Sequence, residues 1–239
     1  MTYLEGQGPA RTRSAKCIVS TLDLVAEKPP RQEKEHGRFV GAAFADLRGE
    51  WRDLAVACVH AVSKKDPRGR ESADRHAAAR ELRSAVERFA GGRPLAVLGD
   101  LNADPYEEEL LHEEGWYAFR ERERLRCWQD KPGRSHGGPR GLFNPMWGLL
   151  RDASPWGTLA YDKRPHTAKL WHHMDQILVS DELADHLAPP EILETLNAED
   201  GEQKLTTAGG KRTRYSDHLP VYAALRVNEV NRCHPSNSN

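Results

Sequence analysis

Two stretches of this chain, Leu54 to Val59 in "WRDLAVACVHAV" and Leu95 to Leu98 in "LAVLGDLNADP", are apolar at every position. Neither leaves a face that water can solvate, so each reads as a strand from the middle of a sheet, covered on both sides. Between them, "ESADRHAAARELRSAVERFAGG" carries Ala78, Leu82, Ala85, Val86 and Phe89 at helical spacing, with Gly91-Gly92 as the stop. Strand, helix and strand make a β-α-β unit. If its strands are parallel, His60 and Asp100 leave the sheet at the same edge.

Further strands are predicted at "KCIVSTLDLVA" (16–26), "RFVGAAFADL" (38–47) and "HHMDQILVS" (172–180), the last with Asp175 at its start. "RYSDHLPVYAALRV" (214–227) places Ser216, Asp217 and His218 just before a closing strand. The stretch 106–170 is long, polar and punctuated by Gly and Pro, with Trp116, Trp128, Trp147 and Trp156 spread through it, so it is expected to be functional or to carry short helices. Its tryptophans either stack on bases or pack the loop core. No linker divides the 239 residues, which implies one domain over 16–227, a polar segment at 1–15 and a frayed tail at 228–239.

Composition narrows the setting. With 38% apolar and 30% charged residues, the chain reads as a soluble globular protein, and no apolar run approaches a membrane span. The N-terminus lacks the apolar core of a secretion signal. Cys17, Cys58, Cys127 and Cys233 form no close pair, which fits a reducing cytoplasm and excludes a zinc knuckle. A net charge of −1 argues against a strongly basic nucleic-acid coat but leaves room for a local basic groove. "GGKRTRYSDH" puts Lys211, Arg212 and Arg214 where they can meet a phosphate, whereas "RERERLR" (120–126) and "KKDPRGR" (64–70) read as solvated charged faces.

The chemistry is concentrated at strand ends. Gly99 lets the backbone approach a neighbour or ligand, and Asp100, Asn102 and Asp104 follow it where an open sheet presents its crevice. Their oxygens suit magnesium or calcium, not zinc. Each residue alone also has a structural reading: an Asx-capped turn at 100–104, a backbone-satisfied His60, a turn role for Asp217, strand termination for Asp175. His172 and His173 read as surface or loop groups, since no third soft ligand is spaced to join them. The coincidence of several strands ending in suitable polar residues favours a shared site.

Together, "VH" (59–60), "GDLNADP" (99–105), "MDQILVS" (174–180) and "SDHLPV" (216–221), in this order, resemble the endonuclease/exonuclease/phosphatase superfamily over residues 16–227. "LFNPMWGLLRD" resembles a bacterial group within it. The resemblance implies a layered α/β sandwich of two packed β-sheets flanked by helices. It also implies hydrolysis of phosphate esters with Mg2+ or Mn2+, the metal being held by Asp100, Asn102 and Asp217. Residue by residue, Asp100 and Asn102 match the pair contacting metal and scissile phosphate. His218 matches the histidine that orients or deprotonates the attacking water, Asp175 its carboxylate partner, and His60 the histidine that touches the phosphate. Lys211, Arg212 and Arg214 are the expected further substrate contacts.

One part of the pattern is missing. Family members begin with a strand bearing an asparagine, then a helix and a strand ending in a metal-ligand glutamate, and "KCIVS" resembles the strand just beyond. Gln32-Glu33 is not that glutamate, because no apolar strand precedes it. The chain is therefore expected to be N-terminally truncated relative to the family, to hold its cation more weakly, and to expose a sheet edge that a missing N-terminal part, another subunit or a second copy of the chain covers. A nuclease-like phosphodiesterase acting on DNA or RNA is the leading expectation. The alternatives are a phosphomonoesterase on an inositol phosphate or similar small substrate, and a catalytically impaired binding or regulatory module.

Overall fold

The all-apolar stretches become adjacent parallel strands in the computed structural model, which describes residues 2–5, 17–20, 24–25, 39–45, 53–65, 71–131, 140–152, 155–160, 171–198, 201–205 and 216–226. The elements begin with β1 (Thr2–Glu5), β2 (Cys17–Ser20), β3 (Leu24–Val25), β4 (Phe39–Ala45), β5 (Asp53–His60), α1 (Ser72–Ala90) and β6 (Leu95–Asp100). They continue with α2 (Glu108–Leu111), β7 (Ala118–Phe119), α3 (Arg122–Gln129), β8 (Leu142–Phe143), a 3-10 helix at Pro145–Leu149, and β9 (Leu159–Ala160). The last are β10 (Trp171–His172), β11 (Asp175–Val179), α4 (Asp181–Ala184), β12 (Glu191–Ile192), β13 (Thr195–Ala198), β14 (Gly201–Lys204) and β15 (Val221–Tyr222).

The main sheet runs β3-β4-β5-β6-β11-β8-β7. β5 and β6 are parallel, as the helical crossover between them requires, while β11 lies antiparallel on the other side of β6. Alternation then divides the apolar residues between two layers. Ala55, Ala57 and Val59 of β5, with Leu95 and Val97 of β6, face α1 and pack on its Leu82, Ala85, Val86 and Phe89. Leu54, Val56, Ala96, Leu98, Ile177 and Val179 face the other way, against Met146, Ile192, Leu205 and Leu219. That second layer contains the two-stranded β12–β15 sheet, so among the described residues a second, smaller sheet packs on the main one, as expected.

Helix α1 follows its expected stripe with one adjustment: Ala79 is buried and Ala78 only partly so. Arg83 on the same side is also buried, because its guanidinium donates to the carbonyls of Glu113 at 2.7 Å and Gly115 at 2.5 Å. The stop is the expected one, with Gly91 left-handed at φ 58° and its N–H on the Glu87 carbonyl at 3.0 Å.

Residues 106–131 and 140–152 do carry short helices. Trp116 is buried, and Trp128 packs against Tyr117 and Phe119 with ring centroids 4.8 and 5.7 Å away, so both tryptophans serve packing. "RERERLR" is not a plain solvated face: Leu125 is buried, and Arg122 and Arg126 each reach Asp185, Arg126 also meeting Asp181 at 3.1 Å. These pairs join α3 to α4. In the other basic run Lys64 is ion-paired with Glu107, while 66–70 lie outside the described residues. Residues 2–5 of the N-terminal segment form a strand antiparallel to β2, and this hairpin lies against β4. The tail 228–239 lies outside the described residues. None of the described helices is long and apolar enough to cross a membrane.

Gly99 is required by the sheet itself. Its φ is +131°, and a Cβ there would stand 2.2 Å from the Val59 carbonyl oxygen. Gly99→Ala is therefore expected to lower the unfolding free energy by roughly 3–5 kcal/mol, read as a lower urea midpoint at unchanged slope. A loss below about 1 kcal/mol would contradict the close approach of β5 and β6.

Candidate active site

The register of three strands builds the centre of the site. His60 lies opposite Asp100 across the β5–β6 pair, and Asp175 lies opposite Asp100 across the β6–β11 pair. Residues facing one another across a ladder project to the same side. One imidazole and two carboxylates therefore leave the sheet in a single row, on the face away from α1, one step beyond the apolar row Cys58, Leu98 and Ile177. His60 Nε2 stands 3.4 Å from Asp100 Oδ2.

His218 joins this row from the other end of the chain. A β-bridge from Leu159 to His218 fixes its backbone, and the Ser216 hydroxyl accepts the His218 N–H at 3.0 Å. The ring then places Nδ1 2.7 Å from Asp175 Oδ2. Asp217, next to it, is partly buried.

After Asp100 the chain turns within two residues. Asn102 takes a left-handed φ of 51°, a conformation asparagine tolerates better than most side chains. Its N–H donates to Asp100 Oδ1 at 2.8 Å, and its side-chain amide donates to the Ala61 carbonyl at 3.2 Å, anchoring the loop to the end of β5. Asp104 is 1% exposed. Its carboxylate accepts the His173 N–H at 2.8 Å and lies 2.9 Å from His172 Nδ1. His172 and His173 are thus not surface groups: His172 is partly buried against Asp104, and His173 is buried.

Electrostatics follow from this crowding. Burial, then the neighbouring Asp175 charge, push the Asp100 carboxyl up to about 6, against the opposing pull of His218 and the Asn102 N–H. His218 moves up as well: burial works against its charged form, but the Asp175 hydrogen bond and the charges of Asp175, Asp100 and Asp217 outweigh it. The site is a carboxylate-rich rim on an apolar wall.

No family model and no curated protein matches the sequence. Solved structures do match in shape. An AP endonuclease from Archaeoglobus fulgidus superposes with a TM-score of 0.51 at 15% identity, over 94% of this chain and 79% of that one. Truncated TDP2 from Caenorhabditis elegans gives 0.50 at 13% identity, over 93% and 73%. The chain has the endonuclease/exonuclease/phosphatase fold. The 3' phosphatase NExo from Neisseria, bound to a product DNA hairpin, has a TM-score of 0.43 at 22% identity over 79% of this chain, which spans 65% of NExo's length.

On this fold the structure brings together His60, Asp100, Asn102, Asp175 and His218, with Asp217 beside them. Lys211, Arg212 and Arg214 lie outside the described residues. Among the described residues no three His, Cys, Asp or Glu side chains gather closely enough to chelate an ion unaided. The donors instead suit an open seat that uses one or two carboxylates and is completed by substrate oxygens and water, the mode magnesium favours. Asp100 is a half-buried carboxyl whose negative charge is opposed by Asp175.

Because the folded chain holds the Asp100 proton more tightly than the unfolded chain does, the contribution of Asp100 to stability falls as pH rises from about 4 to about 6 and stays lower above that. In chelator, Asp100→Asn is expected to raise the unfolding free energy by up to about 3 kcal/mol at pH 7 and to leave it unchanged near pH 4. Urea denaturation at the two pH values reads this. A variant less stable than the parent at pH 7 would contradict it.

Proposed function

We propose that the chain is a divalent-metal-dependent phosphoesterase whose preferred reaction is nuclease-like cleavage of a phosphodiester. The observation carrying this reading is the His218–Asp175 pair at 2.7 Å, set in line with Asp100 and His60 on adjacent strands. Hydrolysis of a phosphodiester needs charge neutralised on the non-bridging oxygens, a water activated in line with the leaving group, and a proton for that group.

In this reading His218 accepts the proton of the attacking water at Nε2. Its Nδ1–H is held by Asp175, which fixes the tautomer and stabilises the imidazolium as it forms. Asn102 uses one amide N–H on the Ala61 carbonyl, and its second is a neutral donor to a phosphate oxygen. His60 contacts the phosphate and supplies a proton to the departing oxygen. A hydrated Mg2+ or Mn2+ would be held by Asp100, Asn102 and Asp217 and would offset charge on the non-bridging oxygens. Lys211, Arg212 and Arg214 are further phosphate contacts in the proposal, and DNA or RNA is its substrate class.

The test is hydrolysis of bis(4-nitrophenyl) phosphate and of plasmid DNA by the whole chain, with magnesium and with chelator. Cleavage is expected to require the metal, to fall by about 10²–10⁴ in kcat for His218→Ala, and to fall strongly for Asp217→Ala. Activity indifferent to chelator and to both substitutions overturns the proposal. A folded but inert chain favours the binding-module reading; cleavage of inositol phosphates in preference to both probes favours the phosphomonoesterase.

A further inference from the structure

The inference that follows rests on the phosphoesterase reading and concerns a residue well away from Asp175 and His218 in sequence. Thr158 precedes β9 and is fully buried. Its hydroxyl accepts the N–H groups of Met174 at 3.1 Å and Asp175 at 3.2 Å, and donates to the His172 carbonyl at 3.4 Å. A hydroxyl has one proton and two lone pairs, so this one is fully used. The Thr158 N–H also donates to the His172 carbonyl, at 2.8 Å, and the Thr158 carbonyl accepts the Leu219 N–H at 2.7 Å.

These bonds reach the backbone of Asp175 and that of Leu219, next to His218. On one side they fix Asp175 and the residue before it, where β11 begins. On the other they fix Leu219, the residue after His218. Asp175 and His218 are 43 positions apart, and Leu159, next to Thr158, forms the bridge to His218. We infer that Thr158 is a positioning residue for the His218–Asp175 pair, its hydroxyl setting the carboxylate and its carbonyl setting the imidazole. It touches neither substrate nor reacting atoms. Its effect is on the aim of His218 Nε2, and a small misplacement of a catalytic group costs rate in the reacting state while leaving ground-state binding largely intact.

The hydroxyl is tested by Thr158→Val, which keeps the side-chain shape but takes the hydroxyl acceptor from the buried Met174 N–H and the part-buried Asp175 N–H, and by Thr158→Ser, which keeps the hydroxyl. With bis(4-nitrophenyl) phosphate and magnesium, Thr158→Val is expected to lower kcat about ten- to a hundredfold with KM within about twofold. Thr158→Ser is expected to restore kcat to within about threefold of the parent. A folded Val protein with parental kcat, or a Ser protein as slow as Val, overturns the inference. If the Val protein does not fold, Thr158→Ala replaces it: about a tenfold gap in kcat between Ser and Ala at equal KM supports the role, and equal kcat overturns it. His218→Ala and Asp175→Asn run alongside. Rate lost in both controls but kept in Val removes the Thr158 role alone, whereas controls at the parental rate remove the phosphoesterase reading and the Thr158 role with it.

Discussion

Everything at this site depends on where β6 stands relative to its two neighbours. A strand buried on both faces can pair on both edges, and β6 does so, parallel to β5 and antiparallel to β11. A slip of one residue in either ladder would turn His60 or Asp175 to the α1 side and dissolve the row. Apolar alternation resists that slip, because it would drive the Leu98 and Ile177 layer into the space held by α1. Gly99 adds a second lock: at that position the backbone of β6 comes so close to Val59 that no side chain fits.

The same sheet face that excludes water along its length ends in carboxylates. That juxtaposition is costly to the fold, since burial and like charge raise the Asp100 carboxyl well above its ordinary range. In such surroundings a positive charge, such as that of a protonated imidazole, is favoured by the neighbouring carboxylates. His218 fits this setting. Its hydrogen bond to Asp175 and the surrounding negative charge favour the protonated ring despite burial.

Around this rim the long connections mostly pack. Tyr117, Phe119 and Trp128 close on one another, arginines of α3 meet aspartates of α4, and Asn144, Gln176 and the Ala103 carbonyl form a buried hydrogen-bonded chain from the 3-10 helix to the loop after Asp100. Trp156 differs, being 51% exposed two residues ahead of Thr158. The packing around the rim thus comes from side chains outside the row of His60, Asp100 and Asp175.

The amino-acid sequence by itself determined the β-α-β unit, the shared edge of His60 and Asp100, and the strand starting at Asp175, because continuous apolar runs, helical spacing and a Gly-Gly stop are local signals. It also marked Asp217 and His218 as a pair ahead of a last strand, although that strand shrinks to Val221–Tyr222. It did not mark Asp104 as a buried partner of His172, nor Thr158 as the clip between two segments, nor the arginine pairs joining α3 and α4. Those contacts join residues 55 or more positions apart, or 16 and 17 in the case of Thr158 with Met174 and Asp175, across connections whose course no local pattern encodes. Only the tertiary structure decided them. A hydrogen-bonding group reveals its role through the partner that burial forces upon it, and that partner is chosen by how the strands pack.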